Sequence, residues 1–238
     1  MAQMSPTAGD FPVFSVFLIP FLCYIVPTMI ITYLGGESVK VQFGDTVLAF
    51  NPISKDSKLK PAKFGADIVL QSLNHPDMNG VDQVSFGEKK AFAITGPGEY
   101  EVKGVFIKGL PSESNYDGEK RINTIYTVSL EGMNICYLGA VNTVVLPKET
   151  DEAIEEVDIL FVPIGGDGVL NPADAYKLAV SIGPKLIIPV HYGDIGGKEA
   201  LKAFLKEAGE NPKPEAKLTL KKKDLEGKEA DVIVLEKE

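Results

Sequence analysis

From Met29 onward the chain alternates apolar and polar side chains in short runs separated by turn residues. Ser38–Phe43 places Val39, Val41 and Phe43 on one face, the period-two pattern of a half-buried strand. Gly44-Asp45 then predicts a hairpin turn into Thr46–Phe50. Ala66–Leu70, Lys90–Thr95, Glu101–Lys108, Asn123–Leu130 and Met133–Leu138 read as further strands, with Glu131-Gly132 turning the last pair. Val157–Val162 and Lys185–Val190 are unbroken Val/Ile/Leu-rich runs of the kind buried on both faces at the centre of a sheet. Helical spacing enters only in the second half. Pro172–Ile182 carries Asn171 as a cap, Pro at the first position and Gly183-Pro184 as a stop. Thr150–Glu156 and Gly197–Ala208 are weaker helices, and Asp231–Leu235 closes the chain as a strand. A strand-rich first half thus precedes a βαβ-like second half, and no repeat or linker interrupts 29–238.

Residues 1–28 break this pattern. No charged side chain occurs between Phe11 and Gly36, and Phe11–Val26 is densely apolar but interrupted by Pro12 and Pro20. A membrane span needs about 20 apolar residues, and a secretory signal needs basic residues ahead of the run, which are missing here. Three readings remain: a translated leader ahead of a body that starts near Met29, an anchor that holds the body on the cytoplasmic side, or, last, a buried core segment. The leader is the preferred one, with residues 29–238 as a single cytoplasmic domain that folds without the segment.

Composition narrows the function classes. The 238 residues include 33 acidic and 24 basic side chains, a net charge of −9, which argues against a nucleic-acid partner because phosphate binding relies on Lys and Arg. Residues 198–238 balance ten Lys against ten Asp or Glu, so the excess sits earlier. Lys221–Lys223 reads as a solvated hairpin face. The two cysteines, Cys23 and Cys136, form no CxxC and suggest reduced thiols. No Gly-x-Ser-x-Gly elbow, Walker loop or Gly-x-Gly-x-x-Gly turn is present. The chain has only two histidines, His75 and His191.

Several segments, in order, resemble the metallo-β-lactamase fold hydrolases, in particular the small zinc-dependent hydrolases related to ascorbate-6-phosphate lactonase. Met29–Gly35 resembles their opening strand, Phe50-Asn51-Pro52 their Asp-Pro turn, and Leu73-Asn-His75-Pro-Asp77-Met78 their Ser-His-x-His-x-Asp-His signature. Gly98–Val102, Asn123–Tyr126, Ile135–Ala140, Asp158–Gly165 and Pro189–Gly193 continue the series. The likeness covers about residues 29–205. It implies an α/β (α+β) protein with a four-layer αββα metallo-β-lactamase-like sandwich.

The resemblance also implies two metal ions that activate a shared water, and here the residues depart from the family. His75, Asp77 and His191 fall on ligand positions. Leu73 and Met78 stand where two signature histidines belong, Ser114 at a downstream His and Ala140 at the bridging Asp. Leu and Ala carry no lone pair, Met sulfur is too soft for hydrolytic Zn²⁺, and a catalytic zinc normally has three protein ligands.

Read alone, Asn74-His75-Pro76-Asp77 is an ordinary turn and His191 a structural histidine at a strand end. Both histidines falling on ligand positions of one family favours a remnant metal site. Three functions follow: a catalytically impaired member retained to bind a small molecule or protein; a hydrolase working with one weakly held zinc on His75, Asp77 and His191, Asp77 being its catalytic residue; and a scaffold that self-associates as a homo-oligomer. The first is preferred, with no resident cofactor. A vestigial site also implies that His191→Ala changes stability little.

Overall fold

The computed structural model describes residues 28–87 and 90–238, so the reading of the first 27 residues lies outside the described residues. Among the described residues thirteen strands form two sheets. The first holds β1 (Met29–Gly35), β2 (Ser38–Phe43), β3 (Thr46–Phe50), β4 (Ile68–Leu70), β5 (Phe92–Ile94) and β12 (Leu218–Leu220), in the order β12-β1-β2-β3-β4-β5. The second holds β6 (Gly98–Val102), β7 (Val105–Ser114), β8 (Arg121–Leu130), β9 (Met133–Tyr137), β10 (Ile159–Pro163), β11 (Leu186–Val190) and β13 (Asp231–Val232), in the order β13-β11-β10-β9-β8-β7-β6. Both are mixed: β3-β4-β5 run parallel in the first sheet and β9-β10-β11-β13 in the second.

The inner faces meet in one apolar core in which Val39, Val41, Leu48 and Ile68 oppose Ile107, Val128, Ile135 and Ile188. Phe50 stacks on Tyr137 at 4.8 Å between ring centroids, and both lean on Phe161. Large aromatic rings each bury roughly 150–250 Å², so this trio accounts for much of the contact between sheets.

The outer layers differ. The second sheet is covered by α1 (Lys148–Ala153), α2 (Pro172–Ile182) and α3 (Ala200–Ala208), which share a core with its outward residues Ile125, Cys136, Leu160 and Ile187. On α2, the Asn171 side chain accepts the Asp174 amide at 3.0 Å and Gly183 ends the helix in a left-handed conformation, as the sequence predicts. The first sheet's outer face, Ala49 and Val69, is covered by the connection through Phe64 and Ala66 and by the single 3-10 turn Val81–Val84. Among the described residues no α-helix lies there, because Pro52, Pro61, Gly65 and Gly80 interrupt the stretch.

Two local expectations are corrected. Glu101–Lys108 is not one strand but the end of β6, a tight turn and the start of β7, since Lys103 and Gly104 both adopt positive φ. Lys222–Leu225 forms a 3-10 turn rather than part of a hairpin strand. Among the described residues no helix is long and apolar enough to cross a membrane.

Candidate functional site

Open α/β sheets bind ligands beyond the carboxyl ends of their parallel strands, and this molecule gathers its candidate residues there. Asn51 follows β3, the segment Gln71–Met78 follows β4, Ala140 lies just past β9, Gly165 just past β10, and His191 directly follows β11. The two sheets are tied at this edge by the His191 amide, which donates to Gly36 O at 2.6 Å, and by the Tyr33 hydroxyl, which donates to the carbonyls of Gly36 and Tyr192. A cleft of about 480 Å³ opens above, lined in part by His75, Asp77, Tyr116, Asp117 and His191.

His191 is 1% exposed and faces Glu37, whose side chain is fully buried; Nδ1 lies 2.9 Å from Oε1. The other carboxylate oxygen accepts the Asn51 amide at 2.9 Å. Asn51 also donates to Ser72 Oγ at 2.7 Å and accepts the Ser72 amide at 2.7 Å. One side-chain amide therefore joins the turn before β2 to the end of β4. Asn51 and His191 both adopt positive φ, at 42° and 63°. That region is costly for residues other than glycine, and such strain concentrates at functional sites. The His191 ring is packed against Gly165, where a Cβ would overlap it.

The second histidine sits differently. His75 Nδ1 accepts the Asp77 backbone N–H at 3.2 Å, leaving Nε2 toward Asp117 at 3.5 Å. Asp77 accepts the Ser57 hydroxyl on Oδ1 and the Tyr116 hydroxyl, at 2.8 Å, on Oδ2. Tyr116 lies in the 3-10 turn between β7 and β8, and its backbone N–H reaches Ser114 Oγ at 3.2 Å. Its phenol is held well above the ordinary tyrosine range, first by burial, then by the Asp77 hydrogen bond and the nearby Asp77, Glu37 and Asp117 charges. It is a proton donor at neutral pH, not a phenolate.

The positions that the resemblance assigns to missing ligands come together. Leu73, Met78 and Ala140 form one buried cluster with Tyr116 and Val169. The Ala140 amide donates to Asn123 Oδ1 at 2.9 Å. Gly139, at φ 63°, brings the chain so close that a Cβ there would lie 2.5 Å from Asn123 Oδ1. Ser114 is fully buried two residues from Tyr116.

The structure thus pairs His75 with Asp77, whereas His191 is paired with Glu37. Among the described residues no three His, Cys, Asp or Glu side chains are grouped so as to hold a metal ion. Of the donors present, Nδ1 of His75 and both oxygens of Asp77 already have protein partners. Sequence reasoning missed Glu37, Ser57 and Tyr116. Glu37 had one signal: it is the first charged residue after a long uncharged stretch, in the turn between two buried strands.

Comparison with known proteins agrees with this architecture. The model of the beta-lactamase superfamily domain matches residues 30–191. The chain belongs to the beta-lactamase superfamily. Within that superfamily it is 26% identical over 196 residues to a metal-dependent hydrolase of Bacillus licheniformis, covering 69% of this chain and 85% of the relative. A metal-dependent hydrolase of Thermococcus kodakarensis is 25% identical over 190 residues, 68% of this chain and 84% of that one. Among solved structures, a candidate zinc-dependent hydrolase of the metallo-beta-lactamase superfamily from Thermotoga maritima superposes with a TM-score of 0.69 and 29% identity. It covers 88% of this chain and 100% of that one.

Proposed function

We propose that this superfamily member has given up the dinuclear centre of its fold and keeps the cleft as a binding site for a small molecule or a protein segment. The observation that carries this reading is the buried cluster of Leu73, Met78 and Ala140 at ligand positions. Three side chains without hard donor atoms there leave a metal ion few groups to replace its water shell. Their burial is favourable by about 25 cal/mol per Å² of apolar surface, so the exchange supports the fold while removing coordination. Asp56, Asp77, Asp117 and Asp167 face the cleft against Lys58, and Asp194, which also lines it, is paired with Lys237. An anionic ligand would enter against that field, with no cation beneath to offset it.

A second reading has one observation in its favour. The Glu37 carboxylate on His191 Nδ1 is the arrangement that orients a metal-ligating histidine through its other nitrogen. On that reading His75, Asp77 and His191 share a single zinc ion and Asp77 carries the reaction.

Metal analysis separates the two. The first reading expects the freshly purified protein to hold well under one equivalent of zinc, and its thermal midpoint to be the same in zinc and in EDTA. One equivalent of zinc per chain, with EDTA-sensitive hydrolysis of a lactone or phosphodiester, would replace it with the second.

A further inference from the structure

Loss of ligands alone would leave a gap lined by unpaired donors, and buried donors without partners are costly. Here one side chain at the floor of the cleft meets those donors. We propose that Tyr116 occupies the place of the metal ions, its hydroxyl bonding Asp77 and its ring covering the two histidines, so that the phenol is the internal substitute for the metal centre. This rests on the metal-free reading above and adds the residue that enforces it.

Three contacts meet on this one side chain. Its hydroxyl donates to Asp77 Oδ2 at 2.8 Å. Its ring meets His75 edge-on, with centroids 4.9 Å apart and planes at 85°. It meets His191 in the same way at 5.5 Å and 85°. These are the three donors that the resemblance assigns to metal, and Tyr116 touches all of them. Zinc must come within about 2.0–2.2 Å of nitrogen and oxygen ligands, and here the ring and hydroxyl of Tyr116 already lie against those groups.

The surroundings fix the ring there. Leu73, Met78, Ala140 and Val169 pack around it, so the replaced ligand positions are its wall. Ser114 anchors its backbone. Each change is explained by the same occupant: a histidine at 73 or 78 would bring a polar edge against the ring, whereas Leu and Met give apolar contact. A hydroxyl donor also suits Asp77, which otherwise faces the cleft with the Ser57 hydroxyl as its other side-chain donor.

The test restores the coordination with and without the tyrosine. Leu73→His, Met78→His and Ala140→Asp are combined, once with Tyr116 kept and once with Tyr116→Ala, and zinc is measured per folded chain after dialysis. The expected result is near-stoichiometric zinc only where Tyr116 is removed. Equal zinc uptake with Tyr116 kept would overturn the substitution, while zinc in the unaltered protein would instead overturn the metal-free reading.

A second measurement does not depend on the restored set folding. The only two histidines make carbethoxylation a clean probe of access. In the unaltered chain His191 should react slowly behind the ring, and in Tyr116→Ala at least about tenfold faster, since a protected group otherwise reacts only through local opening. Circular dichroism reports folding, and Tyr116→Leu takes its place should the alanine variant unfold. Unchanged His191 reactivity in a folded variant would show that the ring does not cover the site.

Discussion

Each half of the cleft floor pairs a histidine with a carboxylate, and the two pairs could hardly be set more differently. His191 and Glu37 sit 2.9 Å apart with side chains 1% and 0% exposed, on strand ends that also join the two sheets. His75 and Asp77 lie in one loop, 3.5 Å apart and 14% and 16% exposed, with the three-quarters exposed Asp117 beyond. The second contact is also the looser in kind, since His75 Nδ1 already accepts the Asp77 backbone N–H and offers no proton to Oδ2. Away from water the attraction is barely screened and a lone partner is stranded, while near the surface solvent replaces whatever is removed. Glu37 and His191 hold the framework, whereas His75 and Asp77 shape the cleft.

The sharpest way to break this contrast is His191→Ala. It strands the buried Glu37 carboxylate on Asn51 alone, so unfolding free energy should fall by about 3–5 kcal/mol, read as a lower urea midpoint at unchanged slope. The near-neutral effect expected for a vestigial histidine is thereby reversed, because the sequence shows no partner for it. A loss under about 1 kcal/mol would put the buried pair on the same footing as a surface one. Asp77→Ala should have an intermediate effect: the Ser57 and Tyr116 hydroxyls each lose an acceptor, at a total of about 1–3 kcal/mol, and thermal melting checks it. Asp117→Asn should leave stability within about 0.5 kcal/mol, as for other exposed substitutions. A larger shift in either direction would show that the loop half carries structural load after all.

How much of this could be read in the sequence depends on the range of each interaction. β2, β3 and α2 were legible because their signals are local: alternation over a few residues, a Gly-Asp turn, an Asn cap and a Gly stop. The sandwich followed from the order of many short segments. The break between β6 and β7 was local too, in Lys103-Gly104, but the apolar and polar pattern runs through it without a change of phase. The site was legible only by position. Leu73, Met78 and Ala140 could be placed by resemblance, yet their shared contact with Tyr116 joins residues from three loops. The partner of His191 lies at the other end of the domain, and a carboxylate at 37 carries no pattern that names its mate. Long-range pairing of single side chains leaves no periodicity to read.

The pairing of β1 with β12 sets a condition on how the protein is made. β1 finds its outer partner only when Met29 meets Leu220, and the last residues return to it as well, with the Glu238 amide donating to Tyr33 O at 3.0 Å. A ribosome adding about 5–20 residues per second therefore exposes β1 on the order of ten seconds or more before that partner emerges. For that interval a strand of seven mostly buried residues has one edge open, a template on which a neighbouring nascent chain can add a strand of its own. The apolar surface that makes β1 a good core strand is then a liability until the C-terminus arrives, so yield should depend on synthesis rate and crowding more than on the stability of the finished fold.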